Sequence, residues 1–252
     1  MSRPNRLRDR LSGGGNATGL SCVLGDAQIA EEFTMAGYDY VYLDQQHGLI
    51  PAERLVSMLR ALARGSATPL VRVAGNDPTL IGQALDAGAE GVIVPMVEDA
   101  DAAARAAAAC RYFPDGTRSW GPIRATHGLG GDPATVNGQV MCLVMIETAA
   151  GVADVDAIVS TPGVDGVYIG PADLSVSLGG APTGIEAATD PALHDAVRSI
   201  RESCTRHGKV TAITGTPATR HADGFGMVTA GSDIGFIRAS LAALAHTSGG
   251  PA

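Results

Sequence analysis

The stretch Leu85-Asp-Ala-Gly88-Ala-Glu-Gly91-Val-Ile-Val-Pro95 contains the unit from which most of the chain is built. A helical run stops at Gly88, where glycine accepts the left-handed conformation that closes a helix at little steric cost. Gly91-Val-Ile-Val-Pro95 then forms a continuous apolar run, the pattern of a parallel strand covered on both faces. The same order of helix, glycine and strand recurs at Ala36-Gly37, Pro162-Gly163 and His207-Gly208. Outward from it, strand candidates fall at Gly19–Leu24, Tyr38–Asp44, Pro69–Val73, Gly91–Met96, Val140–Glu147, Gly166–Gly170, Lys209–Thr214 and Met227–Gly231. Helix starts are marked by Asn76-Asp77-Pro78, a cap with proline in the first turn, and by the acidic Glu98-Asp-Ala-Asp101. Eight such units predict an α/β protein, a (β/α)8 TIM barrel, with a doubly wound open sheet as the alternative.

At 252 residues the chain has the length of one such barrel, so a single domain over 1–252 is expected, with a flexible segment at 1–15. A formal charge of −8 argues against a general nucleic-acid or anionic-membrane surface. An anionic substrate therefore needs a local positive centre, either a metal or a particular arginine. The opening segment lacks the apolar core of a signal peptide, and no run of about 20 apolar residues occurs. A soluble, cytoplasmic protein is the expectation. Cys22, Cys110, Cys142 and Cys204 form no Cys-x-x-Cys pair and read as buried free thiols. The longest irregular stretch, Pro114–Gly138, has glycines at the wrong spacing for a nucleotide fingerprint and reads as a lid or a subunit contact.

In barrels of this kind chemistry gathers at the carboxyl ends of the strands. Glu147 and Asp173 sit at the mouths of consecutive strands, which stand roughly 5 Å apart. Two carboxylates that close repel each other unless a cation lies between them, and a hard divalent ion fits. The competing interpretation is a pair of helix caps or exposed ion-pair partners. Arg72 closes an apolar strand, so its head enters the mouth, either to hold an oxyanion or to form an internal salt bridge. His47 follows Asp44 by three residues; the carboxylate could orient the imidazole as a base, although a loop histidine can equally be incidental. His127, His194, His207, His221 and His246 read as solvated or structural. Lys209 is the only lysine, and it begins a strand at the end opposite the expected site.

Gly163-Val-Asp-Gly-Val-Tyr-Ile-Gly-Pro-Ala-Asp-Leu-Ser175 closely resembles the signature of the HpcH/HpaI aldolases, metal-dependent pyruvate aldolases. Further matches are Asp44-x-x-His47, Arg72-Val73, Gly91-Val-Ile-Val-Pro-Met96, Gly116-Thr-Arg118 and Ile146-Glu147-Thr148, in the family's order across nearly the whole chain. The resemblance implies a phosphoenolpyruvate/pyruvate-type barrel in which Glu147 and Asp173 hold Mg²⁺, Mn²⁺ or Co²⁺. It implies that Arg72 stabilises the enolate oxygen, that the Asp44–His47 pair manages the proton, and that the amides of Gly170 and Ala172 hold the pyruvate carboxylate. It also implies a homo-oligomer, typically a hexamer, that cleaves 4-hydroxy-2-keto acids to pyruvate and an aldehyde. A citrate-lyase-like enzyme acting on acyl-CoA esters and a barrel that only binds keto acids are the alternatives. An electron sink is needed in such cleavage, and the position of Lys209 disfavours a Schiff base in that role. The chain departs from the family at Gln46, usually Glu, and at Met145, usually a Gln that helps hold pyruvate.

Overall fold

The computed structural model describes residues 3–121 and 123–247. Among these, eight parallel strands pair in sequence order and close on themselves. They are β1 (Ala17–Cys22), β2 (Tyr40–Asp44), β3 (Thr68–Arg72), β4 (Gly91–Val94), β5 (Met141–Ile146), β6 (Gly166–Ile169), β7 (Val210–Thr214) and β8 (Met227–Ser232). Their bounds lie within about two residues of those expected from sequence. The barrel is closed, and the open sheet is excluded.

Side chains alternate between the barrel interior and the helical shell. Tyr40 and Tyr42 point inward with Leu70, Ile93, Leu143, Met145, Tyr168, Ala212 and Met227. Val41, Leu43, Val71, Val92, Val94, Val144, Ile146, Val167 and Ile169 pack outward against the helices. Both sets are buried, which is why the strands read as unbroken apolar runs. Extending the inward parity by one step places the residues at the mouth. Asp44 follows Tyr42, Arg72 follows Leu70, Glu147 follows Met145, and Gly170 follows Tyr168.

Two stretches differ from expectation. The segment 1–15, expected to be flexible, carries a helix, Arg6–Ser12, capped by Asn5. Leu7 is 1% exposed and joins the interior cluster, while the Asn5 side chain donates to the carbonyls of Glu90 and Gln139. This helix closes the barrel floor, so burial of Leu7 holds it in place. Within Pro114–Gly138 the chain forms a 3₁₀ turn, Ala125–His127, and a helix, Pro133–Gln139. Asp132 caps that helix and Pro133 occupies its first turn, the same signal as Asp77-Pro78. Among the described residues no helix is long and apolar enough to cross a membrane. All four cysteines are free and buried.

Candidate active site

Asp44 and Arg72 are register partners at the ends of β2 and β3. Arg72 Nε donates to Asp44 Oδ1 at 2.9 Å and Nη2 donates to Oδ2 at 2.5 Å. This two-point fork is the strong geometry for an arginine and a carboxylate. The carboxylate is nearly inaccessible and the guanidinium largely so. Burial opposes the Arg72 charge, but the bonds to Asp44 more than offset it and hold the pKa above its ordinary value. The guanidinium also lies 5.9 Å from the centre of the Tyr42 ring.

Asp44 Oδ1 further accepts from the backbone amides of Gln46, at 3.0 Å, and His47, at 3.3 Å. Asp44 therefore shapes the turn that carries His47 and does not hydrogen-bond its imidazole. That corrects the expected pairing. The carboxylate is strand-bound beside Arg72, while the exposed His47 lies beyond the turn. His47 still faces the site. With Tyr42, Arg72, Met145, Asp173 and Thr214 it lines a cavity of about 330 Å³ at the barrel mouth.

Glu147 is 1% exposed, just past the end of β5. Its Oε1 accepts from the Met96 amide at 2.8 Å. Met96 has φ 54°, a left-handed conformation costly for a side chain with a Cβ, and this turn aims its N–H at the acid. Glu147 Oε2 is buried and, among the described residues, has no hydrogen-bond partner. It lies over Gly170, where an added Cβ would stand 2.6 Å from it and 2.9 Å from the Glu147 Cβ, which cannot swing away, so glycine permits the close approach. Desolvation raises the Glu147 pKa above the usual carboxylate range; the Met96 amide lowers it, Asp173 raises it, and Arg72 and His47 lower it. Asp173 lies exposed in the first turn of the helix Pro171–Ser177. Among the described residues neither Glu147 nor Asp173 forms an ion pair, because Arg72 is engaged by Asp44. Two acids thus share one mouth without a protein cation of their own.

The two expected backbone donors differ. The Gly170 amide already donates to the Ile146 carbonyl, at a long 3.4 Å, whereas Ala172 lies in a helical first turn whose amides have no intrahelical acceptor. Met145 is 1% exposed and its sulfur lies 4.0 Å from Arg72 Nη1. Sequence reasoning missed the Met96 amide and the hydroxyls of Tyr168 and Thr214, which are 3.0 Å apart. Tyr168 OH also donates to Thr229 Oγ1 at 2.7 Å. Inward parity within the quoted Gly163–Ser175 stretch would have found Tyr168. Lys209 precedes β7 at the opposite end and donates to the Val164 carbonyl, far from this chemistry. Of the remaining histidines, His221 is bound by Phe225 and Thr18, His194 by Ala188, and His207 faces Asp156, while His127 is exposed. The side chain of His246 lies outside the described residues.

Among the described residues no group of three or more His, Cys, Asp or Glu forms an all-protein metal cage. Two carboxylates are the donor set available. That set suits ions of the Mg²⁺ kind, which take one or two carboxylates and complete their shell with water and substrate oxygens.

Residues 18–239 match the family described as HpcH/HpaI aldolase/citrate lyase. A 5-keto-4-deoxy-D-glucarate aldolase of Klebsiella pneumoniae subsp. pneumoniae is 34% identical over 249 residues, covering 96% of each chain. A hydroxypyruvate/pyruvate aldolase of Rhizorhabdus wittichii is 38% identical over 216 residues, 84% of this chain and 85% of that one. The crystal structure of an HpcH/HpaI aldolase/citrate lyase family protein from Burkholderia cenocepacia superposes with a TM-score of 0.84 at 32% identity, covering 96% of this chain and 97% of that one.

Proposed function

Because this chain belongs to the HpcH/HpaI aldolase/citrate lyase family, we propose that Glu147 and Asp173 hold a divalent cation at the barrel mouth, where 4-hydroxy-2-keto acids are cleaved reversibly to pyruvate and an aldehyde. The protein is a carbon–carbon lyase of the aldolase type. The observation that carries the metal assignment is the buried, unpartnered Glu147 Oε2 next to a second acid that lacks a cation. A buried carboxylate oxygen without a donor is costly, and a bound cation removes that cost.

When bound there, Mg²⁺, Mn²⁺ or Co²⁺ supplies Lewis acidity toward the carboxylate and keto oxygens of the substrate. The chain's own groups do the rest. His47 accepts the proton of the substrate's 4-hydroxyl as the C3–C4 bond breaks. The bonding electrons pass into the keto group and the aldehyde departs. Arg72, fixed by Asp44, presents a permanent charge to the enolate oxygen that develops. Return of that proton from His47 to C3 of the enolate then gives pyruvate and restores the base. The first-turn amide of Ala172 faces the pyruvate carboxylate, with Gly170 allowing the close approach.

We further place the protein in the cytoplasm as a homo-oligomer, a hexamer by family resemblance. Four free thiols support the compartment. Exposed Phe113, Trp120 and Ile123 around the 114–138 stretch support a subunit contact. The functional test is pyruvate release from a panel of 4-hydroxy-2-keto acids after thorough chelation and metal return. Activity should vanish on chelation, return with Mg²⁺, Mn²⁺ or Co²⁺, and be absent in Glu147→Ala. Turnover that survives both treatments rejects the metal assignment.

A further inference from the structure

A second cavity, of about 430 Å³, opens at the amino-terminal end of the barrel. Its walls are strand beginnings, Met141 of β5 and Val210 of β7, together with the Gly14–Asn16 loop that enters β1. It lies at the opposite end from His47 and Asp173, and nothing in the aldolase chemistry uses it.

The polar groups around it are unbalanced. Arg8 and Lys209 line the cavity, and Arg111 stands behind Asp165, the one acid among the described lining residues. The Asp165 carboxylate is already fully engaged. Arg8 Nη1 reaches its Oδ1 at 2.7 Å, and its Oδ2 receives Arg111 Nη2 at 3.1 Å and the Cys142 amide at 2.7 Å. Lys209 directs one of its three N–H bonds to the Val164 carbonyl at 2.6 Å. Among the described residues the Ser12 hydroxyl, the Asn16 side-chain amide, and Nε and Nη2 of Arg8 make no hydrogen bond. Among the described residues the cavity therefore offers several donors and no vacant carboxylate. Arg8 and Arg111 share the Asp165 carboxylate, while Lys209 has no carboxylate partner among the described residues, in a chain whose formal charge is −8. A concave site with surplus donors and surplus positive charge is complementary to an anion carrying more than one negative charge.

We propose that Arg8, Lys209, Ser12 and Asn16 form a binding site for a small multivalent oxyanion, a phosphate ester or a polycarboxylate, at the amino-terminal mouth of the barrel. Arg8 supplies the planar fork, Lys209 the point charge, and Ser12 and Asn16 the neutral donors at the rim. The site is independent of the lyase assignment, because no residue is shared between the two ends.

Lys209 is the only lysine, and this makes a direct test available. Pyridoxal 5′-phosphate carries a phosphate and an aldehyde. The Lys209 amine adds to the aldehyde and expels water, and borohydride then delivers hydride to the imine and fixes the label as a secondary amine. Peptide mapping distinguishes Lys209 from the terminal amine. Labelling of Lys209 should saturate with reagent, and competition at constant ionic strength should suppress it. Suppression by inorganic phosphate alone identifies a phosphate ligand. Suppression by tricarballylate alone identifies a polycarboxylate, and suppression by both identifies multivalent oxyanions in general. Asn16 is exposed, so Asn16→Asp leaves the fold intact. It should cut labelling about fivefold, the effect of one unit charge roughly 4 Å away in water. The proposal is overturned if Lys209 is not labelled, if its labelling rises linearly with reagent, or if neither anion nor Asn16→Asp changes it.

Discussion

Arg72 grips Asp44 at two points, Nε to Oδ1 at 2.9 Å and Nη2 to Oδ2 at 2.5 Å, so the acid three residues before His47 serves the arginine. Its remaining bonds go to the backbone of the turn, not to the imidazole. Asp44→Ala should therefore lower stability by about 3–5 kcal/mol, because a buried guanidinium loses its partner. It should also reduce kcat by roughly 10²-fold as the guanidinium loses its fixed position. Adding Arg72→Leu should restore part of the stability and none of the turnover. Urea unfolding and steady-state kinetics check both. Stability and turnover left intact by Asp44→Ala would contradict this pairing of Asp44 with Arg72.

The His47 imidazole lines the mouth cavity, and among the described residues it forms no hydrogen bond, although the backbone amide of His47 is held by Asp44. His47→Ala should depress kcat by about 10²–10⁴-fold, the range for loss of a positioned base. Mn²⁺ affinity, measured by titration, should stay unchanged. Near-normal turnover would remove His47 from the proton transfer.

Met145 lies beside both Arg72 and Gly170 and offers no hydrogen bond donor. Met145→Gln should tighten pyruvate binding in the metal-loaded protein by about 1–3 kcal/mol, because the amide adds a donor at the mouth. The same change should destabilise the ligand-free protein, since the amide is then buried without a partner. Calorimetric titration with pyruvate and thermal unfolding measure the two effects. Unchanged pyruvate affinity would show that this position does not touch the donor.

Glu147 carries a raised pKa, with desolvation as the largest cause. The folded, metal-free protein then holds this proton more tightly than the unfolded chain does. Its stabilising contribution is complete below the unfolded value of about 4.3 and is lost as pH rises through the higher folded value. Chelated wild type should lose thermal stability across that window relative to Glu147→Gln. At neutral pH the mutant should melt higher without metal and gain nothing from Mn²⁺. Parallel melting curves for the two proteins would contradict a strained carboxylate at this position.

Much of this was legible before any coordinates. The Gly88 and Gly163 stops and the apolar run Gly91–Val94 announced the units because a parallel strand buried on both faces leaves a simple pattern. Glu147, Asp173 and Arg72 could be placed at the mouth because strand ends are readable to within a residue or two. The partner of Asp44 was not readable. Pairing across β2 and β3 depends on register, which brings residues 28 positions apart side by side. The Met96 amide was invisible for a different reason, since a backbone N–H aimed by a left-handed turn leaves no mark in side-chain identity. The helix Arg6–Ser12 was missed because Leu7 finds its burial only in the assembled barrel floor.

The most direct measurement is the anomalous difference map of a crystal soaked with Mn²⁺ and pyruvate. A single strong peak should appear within coordination distance of Glu147 Oε2 and an Asp173 carboxylate oxygen, with pyruvate completing the shell and its keto oxygen toward Arg72. A peak held by other residues, or the two carboxylates turned apart with no ion at the mouth, would contradict the account.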